Sequence, residues 1–239
     1  MRRPRAFIGV SGSDAADYLQ RMVSNDVEAL GIGEACDALL LTPKARIIAP
    51  LRVLRRGEDD FLLSTEPELG ERVVAELTRM RFAARCEIAP EEHDAWVVLG
   101  GDEVFDERPE GDEVSVGEAE RARIEGGIPR WGAELDDTIL PAEAGLDETH
   151  ISFTKGCYPG QEPIARLRHR GHVNRRLRVL EVESADPGDE IEYEGKTVGR
   201  ITSAVHGWAL GYVRTDVPDD AELSVGGAVA RLHLTPARP

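Results

Sequence analysis

From about Arg175 the chain reads RRLRVLEVE, GDEIEYEG, KTVGRITSAV, WALGYVRT and AELSVGGAVARLHL, short segments rich in β-branched residues and divided at close intervals by Gly, Asp and Pro. Turns this frequent leave no room for crossover helices. The rhythm therefore predicts a small antiparallel barrel or sandwich of about 65 residues. A C-terminal domain is expected over 173–239, preceded by a region over 1–172.

That first region has a different texture. Phe7 to Val10 reads as a strand, and Ser13 is placed to cap a helix running to about Met22, with Ala15, Tyr18, Leu19 and Met22 at helical spacing. Ser24-Asn25-Asp26 would end it. Cys36–Leu41 and Ile47–Leu54 read as strands around the turn Thr42-Pro43-Lys44, and Phe61–Ser64 as a third. Leu69, Val73, Val74 and Leu77 fall on one helical face between Pro67 and Arg79, and strand character returns over Ala83–Ile88 and Ala95–Leu99. Strands pairing around helices, without a regular βαβ series, give an α+β class. Between Glu87 and Glu120 there are thirteen Asp or Glu residues and one Arg108, the pattern of a solvated acidic loop joining two elements.

Composition bounds function. Of 239 residues, 45 are acidic and 29 basic, a formal charge of -16. A field of that sign repels phosphate backbones, which argues against direct nucleic-acid binding unless cations gather in one place. Arg166, Arg168, Arg170, Arg175, Arg176 and Arg178, with His169 and His172, are the one dense positive cluster. The three cysteines, Cys36, Cys86 and Cys157, lack CxxC or Cys/His spacing, so a disulfide framework and a self-contained zinc site are both unsupported. A reducing cytoplasm fits, and no apolar run is long enough for a membrane span.

The chemistry concentrates between Arg123 and Gly171. In KGCYPGQE, Cys157 follows Lys155-Gly156 and precedes Pro159-Gly160, after which Gln161–Arg170 can form a helix stopped by Gly171. A thiol beside a helix N-terminus is placed where unpaired N–H groups favour a thiolate, with Lys155 as a second cation. Cys157 is a candidate nucleophile, metal ligand or redox site; a structural cysteine in a tight turn is the plainer alternative.

KGCYPGQE followed by AR and RG, with GIPRWGAEL and LPAEAGL before it, resembles the signature of the YgfZ-type branch of the GcvT-like, folate-binding aminomethyltransferase superfamily. GVSGSDAADYLQRMVSNDV is similar to that family's first helix region, and VGRITSAV with ALGYVR to its C-terminal barrel. The resemblance implies a cloverleaf of two α+β lobes, the second shortened here, and one antiparallel β-barrel around a tetrahydrofolate site. It implies Glu143 as the pterin-reading carboxylate, which can accept a neighbouring N–H and amino group as a bidentate pair. It further implies Asn25, Tyr158 and Gln161 as ligand-contacting positions and Arg166 as the cation for the folate tail or the cysteine site.

The enzyme branch of that superfamily carries an aspartate on the strand after the lysine-containing turn. Here the matching stretch TPKARIIAPLRV has Ala49 or Pro50 at that place, neither able to carry charge. This favours an accessory role in iron–sulfur protein assembly or maintenance, indirectly supporting tRNA-modifying radical enzymes, over aminomethyl transfer. In that role Cys157 is a thiol relay or a transient cluster ligand completed by a partner, with no stable metal on the isolated chain, because one cysteine cannot complete a cluster site. Partners are then iron–sulfur assembly or client proteins, with neither nucleic acid nor membrane. A folate-dependent one-carbon enzyme and a folate-binding scaffold with a structural Cys157 are the alternatives.

Overall fold

The apolar run at Phe7–Val10 becomes the middle of β1 (Ala6–Ser11), whose residues 7–10 are all buried, and this strand organises the N-terminal sheet. A computed structural model describes residues 1–98 and 103–233, so the expected strand end at Leu99 and the last residue of the barrel segment lie outside the described residues. β1 is flanked by β4 (Asp60–Thr65) and β5 (Glu87–Glu91), and β2 (Ala35–Leu41) and β3 (Ile47–Gly57) extend the sheet to the order β2-β3-β4-β1-β5. Every pairing in it is antiparallel. Ala49 and Pro50 sit inside β3, opposite Leu40 and Leu39.

The helices follow their apolar periodicity. α1 (Ala15–Met22) buries Ala15, Tyr18, Leu19 and Met22, and α2 (Gly70–Met80) buries Val73 and Leu77 while Val74 is only half-buried. Pro67 opens a 3-10 turn, Pro67–Leu69, instead of the α-helix itself. Ser13 does not cap α1. The N-cap is Asp14, whose carboxylate turns away to accept from the backbone N–H and guanidinium of Arg85, and this long-range partner outcompetes a local cap. Those bonds hold the Asp14 pKa down at about 2. They also occupy part of the expected strand Ala83–Ile88, of which only the end, from Glu87, is extended.

The acidic stretch 87–120 is not simply a connecting loop. It contains β5, the two-stranded sheet β6 (Ala95–Val97) and β7 (Glu103–Phe105), and the start of α3 (Val116–Glu125), which opens with a capping box between Ser115 and Glu118. Its acids find arginines from the other end of the sequence: Glu103 pairs with Arg3 and Arg5, and Glu91 with Arg56.

The C-terminal rhythm forms a closed barrel from β8 (Arg175–Val182), β9 (Glu190–Tyr193), β10 (Lys196–Val205), β11 (Gly207–Arg214), β12 (Glu222–Val225) and β13 (Ala228–His233) in the order β10-β11-β8-β13-β12-β9. Closure removes exposed strand edges. Leu180, Ile191, Ile201, Leu223, Val225 and Ala230 fill the interior. Gly199 and Gly211 let the backbones close up, since a Cβ would meet Tyr212 O at 2.2 Å and Arg200 O at 2.7 Å.

Two compact units result, and they do not follow chain order. One joins the barrel segment Gly171–Pro239 to Asp112–Gly145, with Ile124 of α3 packed against Val179 and Leu210. The other joins Arg2–Gly111 to Leu146–Arg170, which includes α4 (Gln161–Arg170). KGCYPGQE thus belongs with the N-terminal sheet, whereas LPAEAGL, up to Gly145, belongs with the barrel.

Candidate functional site

KGCYPGQE is fastened at both ends. Upstream, the hydroxyl of Ser24 donates to the His150 carbonyl (2.6 Å) and accepts from the Leu39 N–H (2.8 Å), and the Ser152 N–H donates to the Ser24 carbonyl. Asn25 Nδ2 donates to the carbonyls of Asp37 (2.7 Å) and Thr149 (3.2 Å), while its Oδ1 accepts from the Asp26 N–H. Both amide hydrogens of Asn25 are therefore spent on joining three segments. Ser24-Asn25-Asp26 is more than a helix terminator, and the side-chain amide of Asn25 has no hydrogen left to donate to a ligand.

Lys155 is buried, and its Nζ donates to the carbonyls of Val23 and Asn25, each at 2.7 Å, at the C-terminal end of α1. A cation there also meets the negative end of the helix dipole. The Tyr158 ring lies 5.4 Å away. Burial pushes the Lys155 pKa down to about 8, opposed by the charges of Asp26 and Glu28. The ammonium expected to serve the thiol is instead committed to two carbonyls. Burial likewise raises Cys36 to about 11 and Tyr158 to about 12.

Downstream, Gly160 has a φ of +86°, and a Cβ there would fall 2.7 Å from the Thr42 carbonyl oxygen. Only glycine lets this turn press on the Thr42–Ala45 loop. Between these anchors Cys157 is exposed in the turn before α4. The helix forms as its sequence predicts, Pro163 lying in the first turn and Ile164 buried. Arg166 pairs with Glu162 one turn back (2.8 Å) on the exposed face, and Arg168 stacks 3.7 Å over the Phe153 ring. Gln161 is half-buried, its N–H donating to the Tyr158 carbonyl. The side chain of Arg170 lies outside the described residues.

Glu143 stands in the barrel unit. Its Oε2 accepts from the Leu140 N–H (3.2 Å) and its Oε1 from Arg175 Nε (3.3 Å), while its carbonyl accepts from Leu177 in β8 (2.7 Å). Arg175 lies over the Tyr212 ring at 4.9 Å. The basic cluster read as one patch is divided: Arg166 and Arg168 belong to one unit, Arg175, Arg176 and Arg178 to the other. Arg175 was legible only as one arginine among many, because its pairing with Glu143 spans 32 residues. Glu134, within WGAEL, is a second residue the motifs did not single out as a site, and it is buried. Its carboxylate is enclosed and accepts from Arg123, the Arg130 N–H, Thr202 and Ser203. Among the described residues no group of three or more His, Cys, Asp or Glu is arranged to hold a metal ion, and no helix is long and apolar enough to cross a membrane.

Residues 174–239 match the CAF17 C-terminal beta-barrel domain. The crystal structure of glycine cleavage system aminomethyltransferase T from Bartonella henselae is similar at a TM-score of 0.79, with 18% identity, over 97% of this chain and 83% of that one. An uncharacterized protein of Haemophilus influenzae is 28% identical over 83% of this chain and 81% of its own length. The tRNA-modifying protein YgfZ of Yersinia pseudotuberculosis is 23% identical over 97% and 89%. The chain spans 63% of a chloroplastic putative transferase of Arabidopsis thaliana and about half of the aminomethyltransferases of Rippkaea orientalis and Nostoc.

The fold is thus similar to that of aminomethyltransferase T, mixed α and β with a closed six-stranded C-terminal barrel. The barrel match and the relatives make the chain similar to YgfZ-type proteins.

Proposed function

We propose that this protein is a tetrahydrofolate-binding accessory factor for iron–sulfur protein assembly or maintenance, acting through Cys157 and serving tRNA-modifying enzymes indirectly. The observation that carries the reading is an exposed Cys157 on a loop pinned at Lys155 and at Gly160. A pinned loop presents its thiol in one place, as a relay or transient ligand requires. The relatives named as tRNA-modifying YgfZ agree with the indirect link to tRNA.

The residues present fit a reduced folate. Each carboxylate oxygen of Glu143 accepts one hydrogen bond, which leaves acceptor capacity for a paired N–H and amino group. Arg175, held over the buried Tyr212 ring, offers a cation. Tyr158, Gln161 and the exposed Arg166, already paired with Glu162, stand on the turn and helix that carry Cys157. When bound, a tetrahydrofolate supplies a carrier for one-carbon groups. Glu143 orients the pterin edge, and the Lys155 anchor keeps the cysteine turn in place.

Titration with tetrahydrofolate followed by thermal stability tests the folate half: the parent is stabilised and Glu143→Ala much less so. Equal stabilisation of both removes Glu143 from the site. Cys157→Ala tests the other half in cells, where iron–sulfur enzyme activity falls; full retention overturns the thiol role. The isolated chain is expected to be colourless, as its partner completes any cluster site. A one-carbon transferase is the second reading, favoured by the likeness to aminomethyltransferase T, and Ala49 and Pro50 stand against it.

A further inference from the structure

β6 and β7 contribute three residues each, too few to stand as an isolated sheet. They are held apolarly, with Ala95 and Phe105 packed on Phe7, Leu62 and Leu54 and the Phe105 ring edge-on to Phe7 at 5.3 Å. They are also held by charge, through Arg2 to Asp94 and Arg3 and Arg5 to Glu103. Arginine stays protonated at every accessible pH, so those ties do not switch.

One fastening is different. His93 lies between β5 and β6, its Nε2 2.8 Å from Glu91 Oε2 and its Nδ1 2.7 Å from Asp106 Oδ2, just after β7. Its ring is edge-on to Phe7 at 5.2 Å. A neutral imidazole has one N–H and one lone pair, and a lone pair aimed at a carboxylate is repelled. Both contacts are satisfied together only by the imidazolium.

We propose that His93 is a proton-operated latch, which in its charged form fastens the β6–β7 sheet to β5 and in its neutral form releases it.

The surroundings keep both carboxylates ionised. Arg56 of β3 grips Glu91 with two N–H groups (2.6 and 2.9 Å) and Asp60 of β4 with one (2.7 Å); its hydrogen bonds are the main cause of a Glu91 pKa lowered to about 2. Gly9 makes that reach possible, because a Cβ there would lie 1.8 Å from Glu91 Oε1. Asp106 is lowered chiefly by its bond to His93, and it also accepts from the Asp94 N–H (3.1 Å), while the Asp94 carboxylate pairs with Arg2. For His93, burial alone opposes the charge, but the bonds to Glu91 and Asp106, and then their charges, outweigh it and move the pKa up. A raised pKa means the tie is complete below the ordinary histidine range and is lost as pH climbs through the folded-state value. Release would uncover Phe7 and Leu62. It would also reshape a groove of about 1230 Å³ that His93, Asp94 and Asp106 line together with Val74 and Ala75 of α2.

The test uses the full chain, following the His93 ring proton by NMR and amide exchange in β6 and β7 from pH 6 to pH 9, corrected for intrinsic exchange. The ring is expected to titrate above 6.5 in the parent and lower in Asp106→Asn. Protection of β6 and β7 should fall with rising pH, roughly tenfold for each unit by which folding raises the pKa. His93→Gln should show the weak, pH-independent protection already at pH 6. Protection that ignores pH in the parent, or a ring titrating at or below 6.5, overturns the latch. If His93→Gln fails to fold, the Asp106→Asn titration and the parent profile decide alone.

Discussion

The two units each bury a charge, and they treat it in opposite ways. In the barrel unit, Glu134 is enclosed with Arg123 and accepts from three further donors, so charge and hydrogen bonds are balanced on the spot. In the other unit, Lys155 is buried against two neutral carbonyls and a ring face, with no carboxylate in hydrogen-bond contact. A paired buried ion fails badly when its partner is removed, because the survivor is stranded. An unpaired one is a standing cost that hydrogen-bonded carbonyls offset only in part. The first arrangement suits a joint that never changes. The second is expected where a segment must be placed, here the turn carrying Cys157.

Three measurements would break or sharpen that contrast. Glu134→Ala leaves Arg123 buried with Glu120 as its remaining carboxylate, beside the Ile128 carbonyl and the Ser203 hydroxyl, and urea denaturation should show a loss of about 3–5 kcal/mol. A loss below about 1 kcal/mol would mean the joint is not balanced as described. Lys155→Met should act mainly on pH dependence. With its pKa lowered from 10.5 to about 8, Lys155 binds its proton less tightly folded than unfolded, so its burial cost is complete below about pH 8 and relieved as pH rises towards 10.5. The parent should therefore gain about 3 kcal/mol relative to Lys155→Met across that window. Parallel pH profiles would show the ammonium to be well solvated. Glu162→Gln removes the exposed Arg166 pair and should change stability by less than about 0.5 kcal/mol, the baseline for a charge in water.

Legibility in the sequence followed the range of the interactions. The barrel strands were readable because their turns are encoded within a few residues, and α1, α2 and α4 because apolar spacing sets a helical face. Ser13 misled for the same reason: local cap preference named it, but Arg85, 71 residues from Asp14, decided the end of α1. The acidic stretch looked like solvated linker because its arginine partners stand at residues 3, 5 and 56. Glu143 is a candidate through a motif and Cys157 already through its place before a helix, while Arg175 and Glu134 gain meaning only from partners brought near by folding.

The barrel's strand rhythm, the helix faces and the placing of Cys157 before a helix are written into the chain locally, since each depends on backbone preferences and periodicity among near neighbours. The destinations of the charges emerge only on folding. Lys155 ties down the end of α1 instead of facing the thiol, and the acids of 87–120 fasten strands instead of lining a loop. A charge is settled by whichever partner, water or carbonyl, can be reached in three dimensions, and separation along the chain carries almost no information about that.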